Sequence, residues 1–477
     1  MTIDLYQVSG SGPCRAVRLA AAAIGVDLNL KVCDLMKGEH LKPEFVKMNP
    51  QHTVPTMSDN GFCLWESRAI MTYLADQYGK NDSLYPKDPK KRAVVNQRLF
   101  FDMGTFYQAF AEYYYPQIFG NTQKDQAKFE KVGAAFGFLD KFLEGENYVA
   151  GKNLTLADLA IVTTLSNFEL MDYDFSSFKN VVRWYPKIKK EAPKYEETNG
   201  EGVKAFKALV DSMKKKISIF CIPYCCAIYH KNKVNYFSIQ YKQNRIDNMP
   251  IDLYGMPMCA GCRAVLLTAE AIGINLNFKI VDLFNGEHHS PEYEKINPQK
   301  IIPTLVDGDY KLGESRAIIA YLADQYSKSG RLYPHNPNSR ALVNHRLYFD
   351  IGTLYKAMGA YYYPIAFKGA KEFDSTKLPK LEEAFGMLDT YLKGQDYVAG
   401  RSLTIADLAI TATVTTCEAF GFDIRKYENV SRWLDKMKTS APGYRKANSE
   451  GVEIMRKYFQ GKLAEIEIEK VAEPTSE

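Results

Sequence analysis

The sequence predicts a fold made twice over: an α/β domain followed by an all-α domain, then the same pair again. Three observations predict it. Met1 to Phe119 matches Met249 to Phe367 at a constant offset of 248 residues. Each copy opens on short strand patterns alternating with a helix. Each then continues in helical patterns with no convincing strand.

The repeat is the dominant fact. Asp4-Leu5-Tyr6 returns as Asp252-Leu253-Tyr254, and Tyr73 to Tyr78 recurs unchanged at Tyr321 to Tyr326. One residue is inserted near Lys368, after which Asp158 maps to Asp407 and Trp184 to Trp433. A period this long is a duplicated protein rather than a solenoid unit. A chain of 477 residues also exceeds what one core usually serves.

Within the first copy, Ile3 to Val8 alternates like a strand, and Pro13 to Ile24 reads as a helix with proline at its entry. Leu28 to Cys33 is a second strand. Val54 to Met57 and Phe62 to Leu64 flank Asp59-Asn60-Gly61, a hairpin signal. Glu66 to Tyr78 is an amphipathic helix, and helices follow from Pro89. Thr155-Leu156-Ala157-Asp158 is a capping box opening an apolar helix, repeated at Thr404 to Asp407. Asp158 therefore belongs to folding, although an acid in an apolar stretch invites a catalytic reading.

Composition excludes more than it assigns. The chain is 46% hydrophobic and 25% charged, as in ordinary globular proteins. The net charge of +5 is concentrated between Ile217 and Asn248, which hold four basic residues and one acid. No dense basic face points to nucleic acid, and no apolar run reaches membrane-spanning length. The start, MTIDLYQVSG, lacks the basic and apolar regions of a secretion signal. Nine unevenly spread cysteines then predict reduced thiols in the cytoplasm.

Five stretches of the first copy carry a resemblance: Ser11-Gly12-Pro13-Cys14-Arg15, Asn49 to Thr56 (NPQHTVPT), Glu66-Ser67-Arg68-Ala69-Ile70, Ser83-Leu84-Tyr85-Pro86 and the aromatic run ending Tyr113-Tyr114-Tyr115-Pro116. Together and in this order they resemble a cytosolic glutathione transferase, the first copy being similar to the arthropod delta class. The resemblance covers about residues 1 to 216 and 249 to 460. It implies thioredoxin-like domains at 1–79 and 249–327, and all-helical domains at 88–216 and 336–460. It also implies a two-fold pairing, as a homodimer or as an intramolecular pseudo-dimer of the two copies. Glutathione is the implied co-substrate, with small hydrophobic electrophiles as its partners and no metal.

The chemistry of that family sets a clear demand. A free thiol of pKa about 8.5 is only slightly ionised at neutral pH, and the thiolate is the nucleophile. Ser11 stands between the first strand and the first helix, where a hydroxyl donor and a helix N-terminus both favour a thiolate. The resemblance makes it the donor to the glutathione sulfur; the structural alternative is a simple helix cap. The resemblance assigns the free amides of Glu66 and Ser67 to the γ-glutamyl end, with Arg68 close by. It implies that Val54, before a cis Pro55, pairs its backbone with the glutathione cysteine, and that His40 and His52 face the glycyl carboxylate. Tyr107, Tyr113, Tyr114 and Phe119 match positions that wall the electrophile pocket, against the plainer reading of helical aromatics as core.

The second copy keeps His288, Pro303, Glu314, Ser315 and Arg316 in the matching cradle, with Ile302 in place of Val54, and Tyr355, Tyr361, Tyr362 and Phe367 in the matching pocket. Lys300 replaces His52. Cys259 replaces Ser11 and Gly261 replaces Pro13, giving Cys259-Ala260-Gly261-Cys262 at a strand-to-helix junction. In a thioredoxin-like domain that pattern is a redox candidate. Relatives with cysteine here resemble thiol transferases that form a mixed disulfide with glutathione. Cys262 also corresponds to Cys14, which has no second cysteine beside it, so an accidental pair is the alternative.

Residues 217–248 lack the Gly, Ser, Pro or charge of an evolved linker. Their Ile, Tyr, Phe, Asn and Lys are encoded by A- and T-rich codons, and the second copy begins at a methionine. The stretch reads as translated noncoding sequence between two adjacent genes. Residues 461–477, charged and ending Glu-Pro-Thr-Ser-Glu, read as a mobile tail. The sequence thus predicts a glutathione transferase with Ser11 as the working donor. Its rivals are a thiol-disulfide oxidoreductase at Cys259 and a non-catalytic carrier of hydrophobic ligands.

Overall fold

The computed structural model describes residues 2–120, 122–217 and 250–472. The connector beyond Ile217 and the last five residues of the chain lie outside the described residues.

The first unit builds β1 (Ile3–Gln7), α1 (Gly12–Ile24), β2 (Leu28–Val32), α2 (Pro43–Met48), β3 (Thr56–Asp59), β4 (Phe62–Trp65) and α3 (Ser67–Tyr78). Its sheet has the order β2-β1-β3-β4. β1 runs parallel to β2 in the register Ile3 to Leu28, and antiparallel to β3 in the register Tyr6 to Thr56. Asn60 and Gly61 form the two-residue turn between β3 and β4, with φ of 49° and 85°. Positive φ at both turn residues matches the strand twist and suits Asn-Gly. This is the thioredoxin-like layer.

Six helices follow: α4 (Pro89–Phe101), α5 (Tyr107–Phe119), α6 (Gln126–Phe142), α7 (Leu156–Leu170), α8 (Lys179–Glu191) and α9 (Glu201–Ile217). α7 is buried along nearly its whole length. Its capping box forms as the sequence requires: Asp158 Oδ2 accepts from Thr155 N at 2.9 Å, and Oδ1 accepts from Val149 N and Trp184 Nε1. Burial pushes the Asp158 carboxyl up to about 6 against those four hydrogen bonds, Thr155 Oγ1 included.

The second unit repeats the plan with β5 (Ile251–Gly255), α10 (Ala260–Ile272), β6 (Leu276–Ile280), α11 (Pro291–Ile296), β7 (Thr304–Asp307), β8 (Tyr310–Gly313) and α12 (Ser315–Tyr326). Its helical domain holds α13 (Pro337–Phe349), α14 (Tyr355–Lys368), α15 (Leu378–Leu392), α16 (Ile405–Ala419), α17 (Glu428–Ser440) and α18 (Glu450–Ala472). α18 corrects one expectation: residues 461–472, read from their charge as part of a mobile tail, continue the helix. Leu463 and Ile466 pack on the core there, and Lys462 pairs with Glu465 at 2.6 Å. Charge spaced three residues apart supports a helix rather than dissolving it.

The two units face each other. α3 packs against α13, and α12 packs against α4. Phe100 meets Tyr348 with ring centroids 4.5 Å apart, and Asn344 Nδ2 donates to Thr72 Oγ1 at 3.3 Å. The contact is not symmetric in its side chains. Trp65 of the first unit wedges against His345 and Tyr391. The equivalent of Trp65 in the second unit is Gly313, where a Cβ would lie 3.1 Å from Gln97 Nε2.

Candidate active site

The first site assembles where β1 feeds α1. Ser11 is the N-cap residue of α1, extended at φ −68° and ψ 121°, and its side chain makes no capping hydrogen bond. The hydroxyl lies instead beside the Cys14 thiol. Burial pushes that thiol up to about 11, outweighing the opposing pull of Ser11, so Cys14 stays protonated. Arg15, fully buried, has no carboxylate partner among the described residues; it is held by Ser166 at 2.9 Å and by Asn199 and Asn167. α9 closes over the loop so tightly that a Cβ on Gly10 would lie 3.1 Å from the Phe206 backbone nitrogen.

The next wall is the start of α3. Glu66 sits at φ 65° and ψ 104°, and Glu314 repeats this at φ 66° and ψ 105°. A non-glycine residue in that region is held at a cost of about 1–3 kcal/mol, and such strain concentrates at ligand sites. Burial pushes the Glu66 carboxyl up to about 7, against the opposing pulls of Arg68 and a hydrogen bond to Gln51. Ser67 is buried and accepts from Arg68 Nη1 at 3.0 Å. Arg68 itself is committed elsewhere: Nε donates to Asp102 Oδ2 at 3.1 Å and Nη2 to the same oxygen. Its cation is therefore a buried structural partner that holds Ser67.

The Val54–Pro55 and Ile302–Pro303 bonds are both cis. Among the described residues, the Val54 backbone N–H and C=O have no hydrogen-bond partner. His40 and His52 stand side by side with ring centroids 6.1 Å apart, and His40 Nδ1 is buried without a partner, as is His288 Nδ1 in the second unit. His52 also faces Glu383 of the other unit at 3.9 Å.

The aromatic residues of α5 fall into two groups. Tyr107 donates or accepts with Tyr115 at 2.9 Å between hydroxyls, and Tyr115 packs against Phe119 at 5.7 Å. Residues 107, 115 and 119 share one stripe of α5, and both tyrosines lie within electrostatic reach of Cys14. Tyr113 and Tyr114 turn the other way, against Phe129 and against Phe110 and Phe168, and are buried in the helical core. The second unit repeats the arrangement: Tyr355 pairs with Tyr363, and Phe367 packs against Tyr363. Tyr362 stacks on Phe420 and Tyr361 on Phe373.

In the second unit Cys259 is the N-cap residue of α10, at φ −70° and ψ 124°. A hydrogen bond from the Cys262 thiol pulls the Cys259 thiol down, aided by backbone amides of the first turn and overcoming burial. Burial pushes Cys262 up. His288 and Lys300 line a cavity of about 510 Å³ whose other wall, Phe138 and Lys141, belongs to the first unit. Lys141 and Lys300 converge on Glu294, Lys300 at 2.9 Å, and hold its carboxyl well below the usual range.

Sequence models of the glutathione S-transferase N-terminal domain match residues 1–76 and 253–330, and a model of the glutathione S-transferase C-terminal domain matches residues 103–214 and 354–441. The chain belongs to the glutathione S-transferase family. Solved structures similar to it include a Nilaparvata lugens delta-class glutathione transferase, 62% identical, covering 44% of this chain and 99% of that one, with a TM-score of 0.44. A Bombyx mori glutathione transferase is 48% identical over 44% of this chain and 98% of its own, with a TM-score of 0.43. A Drosophila mojavensis glutathione transferase homolog, solved with bound glutathione, is 35% identical over 45% and 97%, with a TM-score of 0.42.

For a glutathione transferase, the residues that sequence reasoning passed over are informative. Gln51 accepts from Trp65 Nε1 at 2.5 Å and from Tyr391 of the other unit at 2.8 Å, while also reaching Glu66. Its only sequence signal was its place inside the Asn49 to Thr56 motif. Asp102, which anchors Arg68 and accepts from Thr164 at 2.8 Å, carried none. No helix among the described residues of this transferase is long and apolar enough to cross a membrane.

Proposed function

We propose that the first unit conjugates the glutathione thiolate to small hydrophobic electrophiles, with Ser11 donating to the sulfur. The observation that carries this reading is the Ser11 hydroxyl: it is not spent on capping α1. It stands at the helix N-terminus, where donor and dipole both favour a thiolate over a thiol. Four residues of the chain are suited to the tripeptide. The strained Glu66 and the amides of α3 suit an α-amino acid head, Val54 offers an unpaired peptide edge, and His40 with His52 suits a carboxylate. Tyr107, Tyr115 and Phe119 then give the electrophile an apolar wall beside the sulfur. This is a delta-class arrangement serving detoxification in the cytoplasm, and the two units pair within one chain.

The second unit takes glutathione in the same kind of cradle, but at a thiol. Cys259 in place of Ser11 makes it a thiol-disulfide site: its thiolate attacks a glutathionyl disulfide, forming a mixed disulfide with glutathione and expelling the other thiol.

The test is conjugation of glutathione to a generic aromatic electrophile by the full chain and its Ser11→Ala variant. A fall of about 100-fold in kcat/KM is expected on removal of one such donor. An unchanged rate removes Ser11 from the mechanism, and retained binding of hydrophobic ligands without turnover makes the chain a carrier.

A further inference from the structure

The two units place a matched pair of side chains at one point of the fold, and the pair changes chemistry between them. In the first unit a hydroxyl, Ser11, stands beside a buried thiol, Cys14. In the second the backbone is the same within a few degrees, but a thiol, Cys259, stands beside the buried thiol Cys262. Cys259 is half-buried and open to reagents; Cys262 is fully buried behind it. The i, i+3 spacing in the first helical turn sets both on one face, within disulfide reach.

Two further differences surround the same pair. Where the first unit has Gln7, the second has Gly255, and a Cβ there would lie 2.5 Å from Cys262 Sγ. The sulfur occupies volume that any side chain at 255 would take, and Met256 N donates to it at 3.4 Å. Where the first unit has Pro13, the second has Gly261, whose Cβ position is 3.1 Å from Pro303 Cδ and 3.2 Å from Ser315 Oγ. Gly255 and Cys259 thus both border Cys262, and Gly261 precedes it in the chain. An accidental cysteine at 259 gives no reason for the other two.

We propose that the second unit is a dithiol redox centre, in which Cys259 attacks a disulfide substrate and Cys262 resolves the mixed disulfide into a Cys259–Cys262 bond. The proposal rests on the reading of Cys259 as the glutathione-reactive thiol. In the first step the Cys259 thiolate attacks a glutathionyl disulfide, forming Cys259–S–S–glutathione and expelling the other thiolate, which takes a proton from water. In the second, the Cys262 sulfur attacks Cys259 Sγ, expelling glutathione; the Cys262 proton leaves with it. Met256 N–H sits where it stabilises the thiolate that Cys262 must become. Two electrons have passed from the dithiol to the substrate. Two glutathione molecules return them by successive exchange, leaving glutathione disulfide. The split of accessible attacking thiol and buried resolving thiol keeps Cys262 from reacting with bulk disulfides first.

The experiment uses the full chain equilibrated with mixtures of glutathione and glutathione disulfide, acid-quenched and alkylated. The tryptic peptide ending at Arg263 carries both cysteines and is read by mass. The expected wild-type product is the peptide lighter by two hydrogens, about tenfold in excess over the glutathionyl form. Cys262→Ala and Cys262→Ser are expected to accumulate the glutathionyl adduct at Cys259 instead. Conjugation by the first unit, measured on the same samples, reports that each variant is folded. A wild-type peptide that stays glutathionylated, as Cys262→Ala does, overturns the resolving role and leaves Cys259 as a single-thiol site. A peptide unmodified at every ratio overturns both the proposal and the reading of Cys259 beneath it.

Discussion

Trp65 of the first unit meets His345 of the second edge to face, with ring centroids 4.5 Å apart. Both side chains are buried, and Tyr391 closes the cluster from α15. Trp65→Ala is expected to destabilise the chain by about 3–5 kcal/mol, since a large aromatic is removed from a packed contact. The loss is to appear in the denaturant midpoint, and Tyr391→Phe, which keeps the ring, should cost far less.

His345 carries a pH dependence whose sign is fixed by its surroundings. Burial, and then the Arg346 cation, hold its folded pKa well below the ordinary value of about 6.5. Stability supplied by the neutral ring is therefore present above that pH and lost as pH falls below it, because the unfolded chain binds the proton first. The slope attributable to this group approaches about 1.4 kcal/mol per pH unit. His345→Gln, which installs the first unit's residue at the matching position, should flatten the acid limb of a stability–pH profile relative to wild type.

Removal of the Asp102 charge is expected to act on folding before it acts on chemistry. Asp102→Asn leaves the Arg68 cation buried without its carboxylate partner, at about 3–5 kcal/mol. The double change Arg68→Leu with Asp102→Leu should cost less than the sum of the two single changes, a coupling that a double-mutant cycle measures.

The cradle separates binding from turnover. Glu66→Gln removes the charge offered to the head of glutathione while preserving shape, so the KM for glutathione should rise by about tenfold or more with kcat falling less. Steady-state kinetics over a range of glutathione concentrations gives the split.

Much of this was legible in the sequence because the signals were local. Asn60-Gly61 dictates its own hairpin, Thr155 and Asp158 their own helix start, and the constant offset dictates two units. The failures have a common cause in distance. The run Tyr113-Tyr114-Tyr115 shows that α5 is aromatic but not which ring turns toward Ser11; that depends on where α6 and α7 pack. Arg68 and Asp102 are 34 residues apart and share no pattern. Trp65 and Gln51 find partners in the other unit, and no periodicity within one copy reports a neighbour in the second.

Trp65 on one unit and Gly313 on the other give the contact a knob on one side and a bare spot on its counterpart. Two copies of the first unit would bring two knobs to the junction, and neither would meet the histidine at 345; two copies of the second would bring none. The contact is therefore built for one copy of each unit rather than for two of either.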